Sequence, residues 1–109
     1  MLESLFGSIS KERVLAYLFT NEEGYARGIA AFFDANLRSI QLQLDNLEAG
    51  GVLVSRMEGR TRLYSLNPRW PFREALQQLI ERMLAFYPEE ERARMLGARR
   101  RPRRRGKPQ

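Results

Sequence analysis

Apolar residues recur at helical spacing through most of this chain and alternate at strand spacing in one central stretch. Val14, Leu15, Leu18 and Phe19 form a stripe that predicts a helix over residues 10–20, with Ser10 as its N-cap and Glu12 in a favourable first turn. Leu2, Leu5 and Phe6 precede it as a short lead-in turn closed by Gly7. Residues 21–24 break the helix, and Tyr25 begins a second one or follows a very short extended piece. Over residues 26–33, Ile29, Ala30 and Phe33 face inward. Gly28 weakens that short helix by about 1 kcal/mol relative to Ala, and a close backbone approach is the expected reason for it. Asp34-Ala35-Asn36 reads as a tight turn: Asp34 suits a left-handed C-cap, and Asn36 caps the next helix.

Residues 37–48 carry the clearest helical pattern, with Leu37, Ile40, Leu44 and Leu47 on one stripe. The opposite face presents Arg38, Ser39, Leu42, Asp45 and Asn46, flanked by Gln41 and Gln43. Ala49-Gly50-Gly51 ends the helix. Residues 52–57 and 61–66 alternate and are rich in β-formers, so they predict two strands joined by a hairpin tip at Glu58-Gly59-Arg60. Pro71 opens a long helix to about Phe86, and Pro88 with Glu89, Glu90 and Glu91 starts a short terminal helix ending near Leu96.

The order is helix, short helix, tight turn, amphipathic helix, hairpin, long helix. Within residues 14–67, Ile29-Ala30, Phe33-Asp34-Ala35-Asn36, Ile40-Gln41-Leu42-Gln43-Leu44, Leu47-Glu48-Ala49-Gly50-Gly51 and Gly59-Arg60 before Tyr64 fall in sequence. Together they resemble the winged helix–turn–helix transcription regulators of the ArsR/MarR type. The resemblance covers about half the chain. It departs from the common pattern at Asp34 (usually Gly), Asn36 (usually Ser), Gln41 (usually Ser) and Leu42 (commonly polar or basic). It implies an α+β, mostly helical fold: a winged helix–turn–helix with a two-stranded wing and a long C-terminal helix, about residues 71–87, that commonly makes a two-fold dimer.

Charge changes the picture more than composition does. The chain has 109 residues and a formal net charge of +6. Residues 97–109 hold seven cations (Arg99, Arg100, Arg101, Arg103, Arg104, Arg105 and Lys107) and no anion, whereas residues 1–96 hold 12 cations against 13 anions. The expected organisation is therefore a near-neutral domain over 1–96 and a disordered Arg-rich tail over 97–109, reading as a nucleic-acid arm or as a solvated solubilising segment. With no Cys and no His in the chain, a disulfide scaffold, a thiolate nucleophile, a His general base and nearly every zinc or copper site are excluded. No metal, cofactor or catalytic residue is expected. No apolar stretch approaches the roughly 18 residues needed to span a bilayer, and the N-terminus lacks a signal-peptide pattern, so a cytoplasmic protein with no membrane partner is expected.

The candidate chemistry is recognition of double-stranded DNA. Arg38 can donate twice to a guanine edge, and Gln41 or Gln43 can pair with adenine. Leu42 either contacts a thymine methyl or packs under the wing or against a partner. The helix N-termini at Ser10 and Asn36 can present amides to phosphates, and Ser39 joins the DNA-facing set from the outward face of helix 37–48. Arg56, Arg60 and Arg62 surround the wing glycine, with Arg60 at the tip suited to the minor groove. Each of these side chains also has a plain reading as a solvated face. Tyr25, Tyr64 and Trp70 read as core or interface residues. The long helix is more apolar than one stripe requires, so Phe72, Leu76, Leu79, Ile80, Met83, Leu84 and Tyr87 form the expected homodimer face. The alternative is burial of that face by Leu2, Leu5 and Phe6. Three functions remain open: a sequence-specific regulator, a non-specific or RNA-binding module, and a protein–protein adaptor.

Overall fold

The computed structural model describes the backbone of residues 1–105 and the side chains of residues 1–97. In chain order the elements are α1 (Glu3–Phe6), α2 (Ile9–Asn21), β1 (Glu23–Gly24), α3 (Ala26–Phe33), α4 (Leu37–Ala49), β2 (Leu53–Glu58), β3 (Thr61–Leu66), α5 (Arg73–Ala85) and α6 (Glu89–Arg105).

Helix α2 is the centre of the molecule and packs on each of the other helices. Its N-cap is Ser8, not Ser10. Ser8 has extended backbone and its hydroxyl accepts the Lys11 amide at 2.9 Å, so Ser10 already lies inside the first turn. Val14, Leu15, Ala16 and Leu18 are buried against Ile29 and Ala30 of α3, Ile40, Leu44 and Leu47 of α4, Leu53 and Tyr64 of the sheet, and Met95 of α6. Leu37, expected on the inward stripe of α4, is instead exposed at the helix start, where the chain has only just turned away from the core.

The turn between α3 and α4 is built as its residue types require. Asp34 takes the left-handed conformation at φ 53° and its amide closes on the end of α3. The Asn36 side chain then accepts the Ser39 amide at 2.9 Å. Removing that cap in Asn36→Ala should cost about 1 kcal/mol of stability by denaturant titration. A loss below a few tenths would show that α4 is held by its packing alone.

The sheet has three strands, not two, in the order β1-β3-β2, all antiparallel. The β2–β3 hairpin runs in register from Leu53 opposite Leu66 to Glu58 opposite Thr61, and Gly59 at its tip has φ 65°. The extra strand pairs Glu23 with Ser65 and Gly24 with Tyr64. Two residues cannot display an alternation, so tertiary pairing alone makes β1 a strand.

Three further boundaries differ from the pattern. Pro71 does not open α5; the chain first turns through Trp70, whose amide bonds the Asn67 carbonyl, and Phe72 stands at the N-cap. Helix α5 ends at Ala85. Helix α6 does not stop near Leu96: its backbone continues to Arg105. Residues 106–109, and the side chains of the arginine run, lie outside the described residues.

Among the described residues, one charged side chain sits in the core. Glu12, read from the sequence as an ordinary first-turn acid, is 1% exposed. Its Oε1 accepts the Leu2 amide at 2.6 Å and the Met1 ammonium at 3.0 Å, and Tyr87 donates its hydroxyl to Oε2. Burial pushes the carboxyl pKa up, but the hydrogen bonds from Tyr87, Leu2 and Met1 outweigh it and hold the group below the usual range. Tyr87 is shifted upward by its own burial and by the facing carboxylate.

Candidate nucleic-acid interface

Helix α4 and the β2–β3 wing stand side by side on one surface, joined at the base by Tyr64. This ring is buried, and its hydroxyl accepts a hydrogen bond from the Gln41 amide at 3.1 Å. The same Gln41 nitrogen donates to Asp45 at 3.0 Å. Burial raises the Tyr64 pKa, so the phenol stays neutral in that junction. Gln41 therefore tethers the helix to the sheet through its side-chain nitrogen. Gln43 lies about 140° around the helix from Arg38 by helical geometry, at the flank of the outward face.

What remains outward on α4 is compact. Arg38 is exposed and makes no ion pair or hydrogen bond among the described residues. Leu42, one turn later, is 62% exposed, which excludes packing under the wing. Asn36 and Ser39 are occupied with each other at the cap. Asp45 and Asn46 follow toward the far end, where Asn46 accepts from Lys11 at 3.0 Å.

The wing arginines separate into three roles. Arg60, beside the tip, is exposed and without a partner among the described residues. Arg62 donates to the Ser55 hydroxyl at 2.9 Å, and Ser55 in turn donates to Glu48 at 2.6 Å, tying the wing to the end of α4. Arg56 pairs with Glu23 and Glu58, each at 3.0 Å, and its pKa is raised chiefly by Glu23. Two carboxylates flank Arg56, which braces β2 across β3 to β1.

Between the start of α3, the start of α4 and the wing lies an open cleft of about 380 Å³. Arg27, Arg60 and Arg62 line it together with Tyr25, Leu37 and Gln41, and no carboxylate is among its described lining residues. Pattern reasoning missed Arg27. Its only sequence signal is its place in the first turn of the helix that precedes the tight turn. Tyr25, expected in the core or an interface, is 45% exposed and walls this cleft. Gly28 explains its pose: a Cβ there would meet the Tyr25 ring at 2.8 Å, so the close approach at Gly28 is by a side chain and not by backbone.

A second surface lies on α1 and α5. Ile80 and Met83 are buried in the protomer's own core, Tyr87 serves Glu12, and Leu76 and Leu84 pack against the core edge. These five are thus turned inward, because α5 spends one face on α2. Phe72 (63%), Leu79 (36%) and Phe86 (76%) stay exposed, as does Leu5 (64%) on α1. Phe72 stacks edge-on with the half-buried Trp70 at 5.6 Å. An apolar groove of about 500 Å³ runs among Met1, Leu2, Leu79, Met83 and Phe86, with Arg82 at its rim. Leu2 and Phe6 do cover part of the core, yet the groove on this face stays open.

Solved structures share this architecture. The winged helix–turn–helix DNA-binding domain of a possible ArsR-family transcriptional regulator from Mycobacterium bovis, described as homodimeric, superposes with a TM-score of 0.57 at 20% identity, covering 82% of this chain and 80% of that one. The YusO protein of Bacillus subtilis gives 0.56 at 23% identity, covering 97% of this chain and 81% of that one. No family model and no curated protein sequence matches the chain. The fold is a winged helix–turn–helix, as the ordered sequence motifs implied. No helix among the described residues is long and apolar enough to cross a membrane.

Proposed function

We propose that this protein is a non-catalytic, sequence-specific regulator that binds double-stranded DNA as a homodimer. The observation that carries the reading is the pair of unpartnered arginines, Arg38 on α4 and Arg60 on the wing, left outward while their neighbours are tied into structure. A helix fits the B-DNA major groove, and an early-turn arginine can donate to both acceptors of a guanine. The wing then lies over the adjacent backbone, with Arg60 at the minor groove. The exposed Phe72, Leu79, Phe86 and Leu5 supply the dimer face, and the homodimeric Mycobacterium bovis domain supports that assembly. Two-fold symmetry places the two α4 helices about one duplex turn apart. The arginine-rich end adds attraction without sequence preference, which compensates for the near-neutral body.

Selection of bound duplexes from a random pool at roughly physiological salt, with the whole chain, tests this reading. An enriched inverted repeat that disappears in Arg38→Ala is the expected result. Equal recovery of all sequences would favour a sequence-blind module, and no recovery of any duplex would remove the DNA reading altogether.

A further inference from the structure

We propose that the cleft between α3 and the wing seats one phosphate of the DNA backbone, with Arg27 as its ligand on the side opposite Arg62. The proposal rests on the DNA-binding reading and adds to it a third element, α3, as a fixed point of contact. Three guanidinium groups from two separate stretches of chain line one cleft, and no carboxylate shares the described lining. That concentration is unusual for this chain, where residues 1–96 carry one more anion than cation. Elsewhere on the wing the same residue type is neutralised: Arg56 has two carboxylates within 3.0 Å. Arg27 has no such partner among the described residues, and neither has Arg60.

The cleft is also shaped and held. Gly28 lets the Tyr25 ring lie against the first turn of α3, so the aromatic wall stands beside Arg27. On the opposite side, the Ser55 hydroxyl fixes Arg62 at 2.9 Å. Gln41 closes the floor through Tyr64. An open, cationic, pre-shaped recess next to an outward reading helix fits an anion that is itself part of an extended ligand. A phosphodiester flanking the groove that α4 enters has that chemistry, and contacts of this kind set register without reading sequence.

Salt dependence separates this role from base reading. Binding of the selected duplex and a scrambled one is measured from low to moderate salt for the wild type, Arg27→Ala and Arg27→Lys. Arg27→Ala should weaken both duplexes by the same severalfold factor. It should also flatten the slope of log K against log salt by about 0.9, the value of one lost phosphate contact. Arg27→Lys should restore most of the slope, since the charge remains. A neutral methylphosphonate moved along the selected duplex should find one linkage that weakens the wild type clearly more than it weakens Arg27→Ala. An unchanged slope, or a loss confined to the selected sequence, would overturn the phosphate assignment. Competition by millimolar nucleoside monophosphate at constant ionic strength, with the slope unchanged in Arg27→Ala, would transfer the cleft to a free phosphorylated ligand and also overturn it. Failure of the wild type to bind either duplex would instead strike the underlying DNA reading.

Discussion

Replacing Glu12 with alanine should destabilise the fold by about 3 kcal/mol, the scale for removing one member of a buried, charge-assisted hydrogen-bond cluster. The carboxylate collects donors from the first residues, the Met1 ammonium and the Leu2 amide, and from Tyr87 beyond α5. Its loss leaves the Tyr87 hydroxyl and the Leu2 amide without their acceptor at the core edge, and removes the polar ties that join the first residues and Tyr87 to α2. Glu12→Gln keeps the shape and one acceptor, so it should cost less. The pH dependence has a definite sign. The folded-state pKa lies below the ordinary value of 4.5. Ionised Glu12 therefore stabilises the protein above that value, and the contribution fades as pH falls through the folded pKa. The gap between wild type and Glu12→Gln in denaturant titrations should be full near pH 7 and should narrow under acid. Tyr87, shifted upward, acts at the other extreme: its contribution is present below its ordinary value of 10 and is lost as pH rises beyond it. A gap independent of pH, or a stability loss below about 1 kcal/mol in Glu12→Ala, would show that the cluster is incidental.

That cluster also marks where sequence reading stops. The Glu12–Tyr87 contact spans 75 positions, and nothing local at Glu12 distinguishes a buried hub from a solvated first-turn acid. Local signals fared better. The cap at Asn36, the left-handed Asp34, the stripe of Ile40, Leu44 and Leu47 and the hairpin glycine each depend on a few neighbouring residues. Their order was enough to imply the winged helix. What the local pattern missed or left open was decided by partners distant in sequence. The strand β1 exists because β3 offers it an edge, and Arg56 is neutralised because that strand brings Glu23 across the sheet. Gln41 has the same periodic position in sequence whether it faces DNA or Tyr64. The apolar excess of α5 was visible, but its division between Ile80 and Met83 inside and Phe72, Leu79 and Phe86 outside comes from how α5 lies on α2.

The division of labour on α4 leads to the sharpest expectation for DNA binding. Arg38→Ala should lower affinity for the selected inverted repeat by roughly tenfold to a hundredfold, about the 1–3 kcal/mol of one bidentate arginine–guanine pair. It should leave scrambled duplex nearly unaffected. Leu42 should act differently. A leucine 62% exposed in the middle of a polar face has no hydrogen bond to offer, and its complement in the major groove is the methyl group of thymine. Replacing the thymine it covers with deoxyuridine removes one methyl, about 0.8 kcal/mol or some fourfold in affinity. In Leu42→Ala the same replacement should cost nearly nothing, because the contact has already gone. Arg38 and Leu42 lie four residues apart, one turn along the same face, so the guanine and the thymine should fall on neighbouring base pairs of each half-site. The measurement is a cycle of two proteins and two duplexes, read as equilibrium binding at one salt concentration. Coupling between Leu42 and the thymine methyl supports direct reading by this face. Independent effects would mean that Leu42 faces something other than a base and that α4 reads through Arg38 alone.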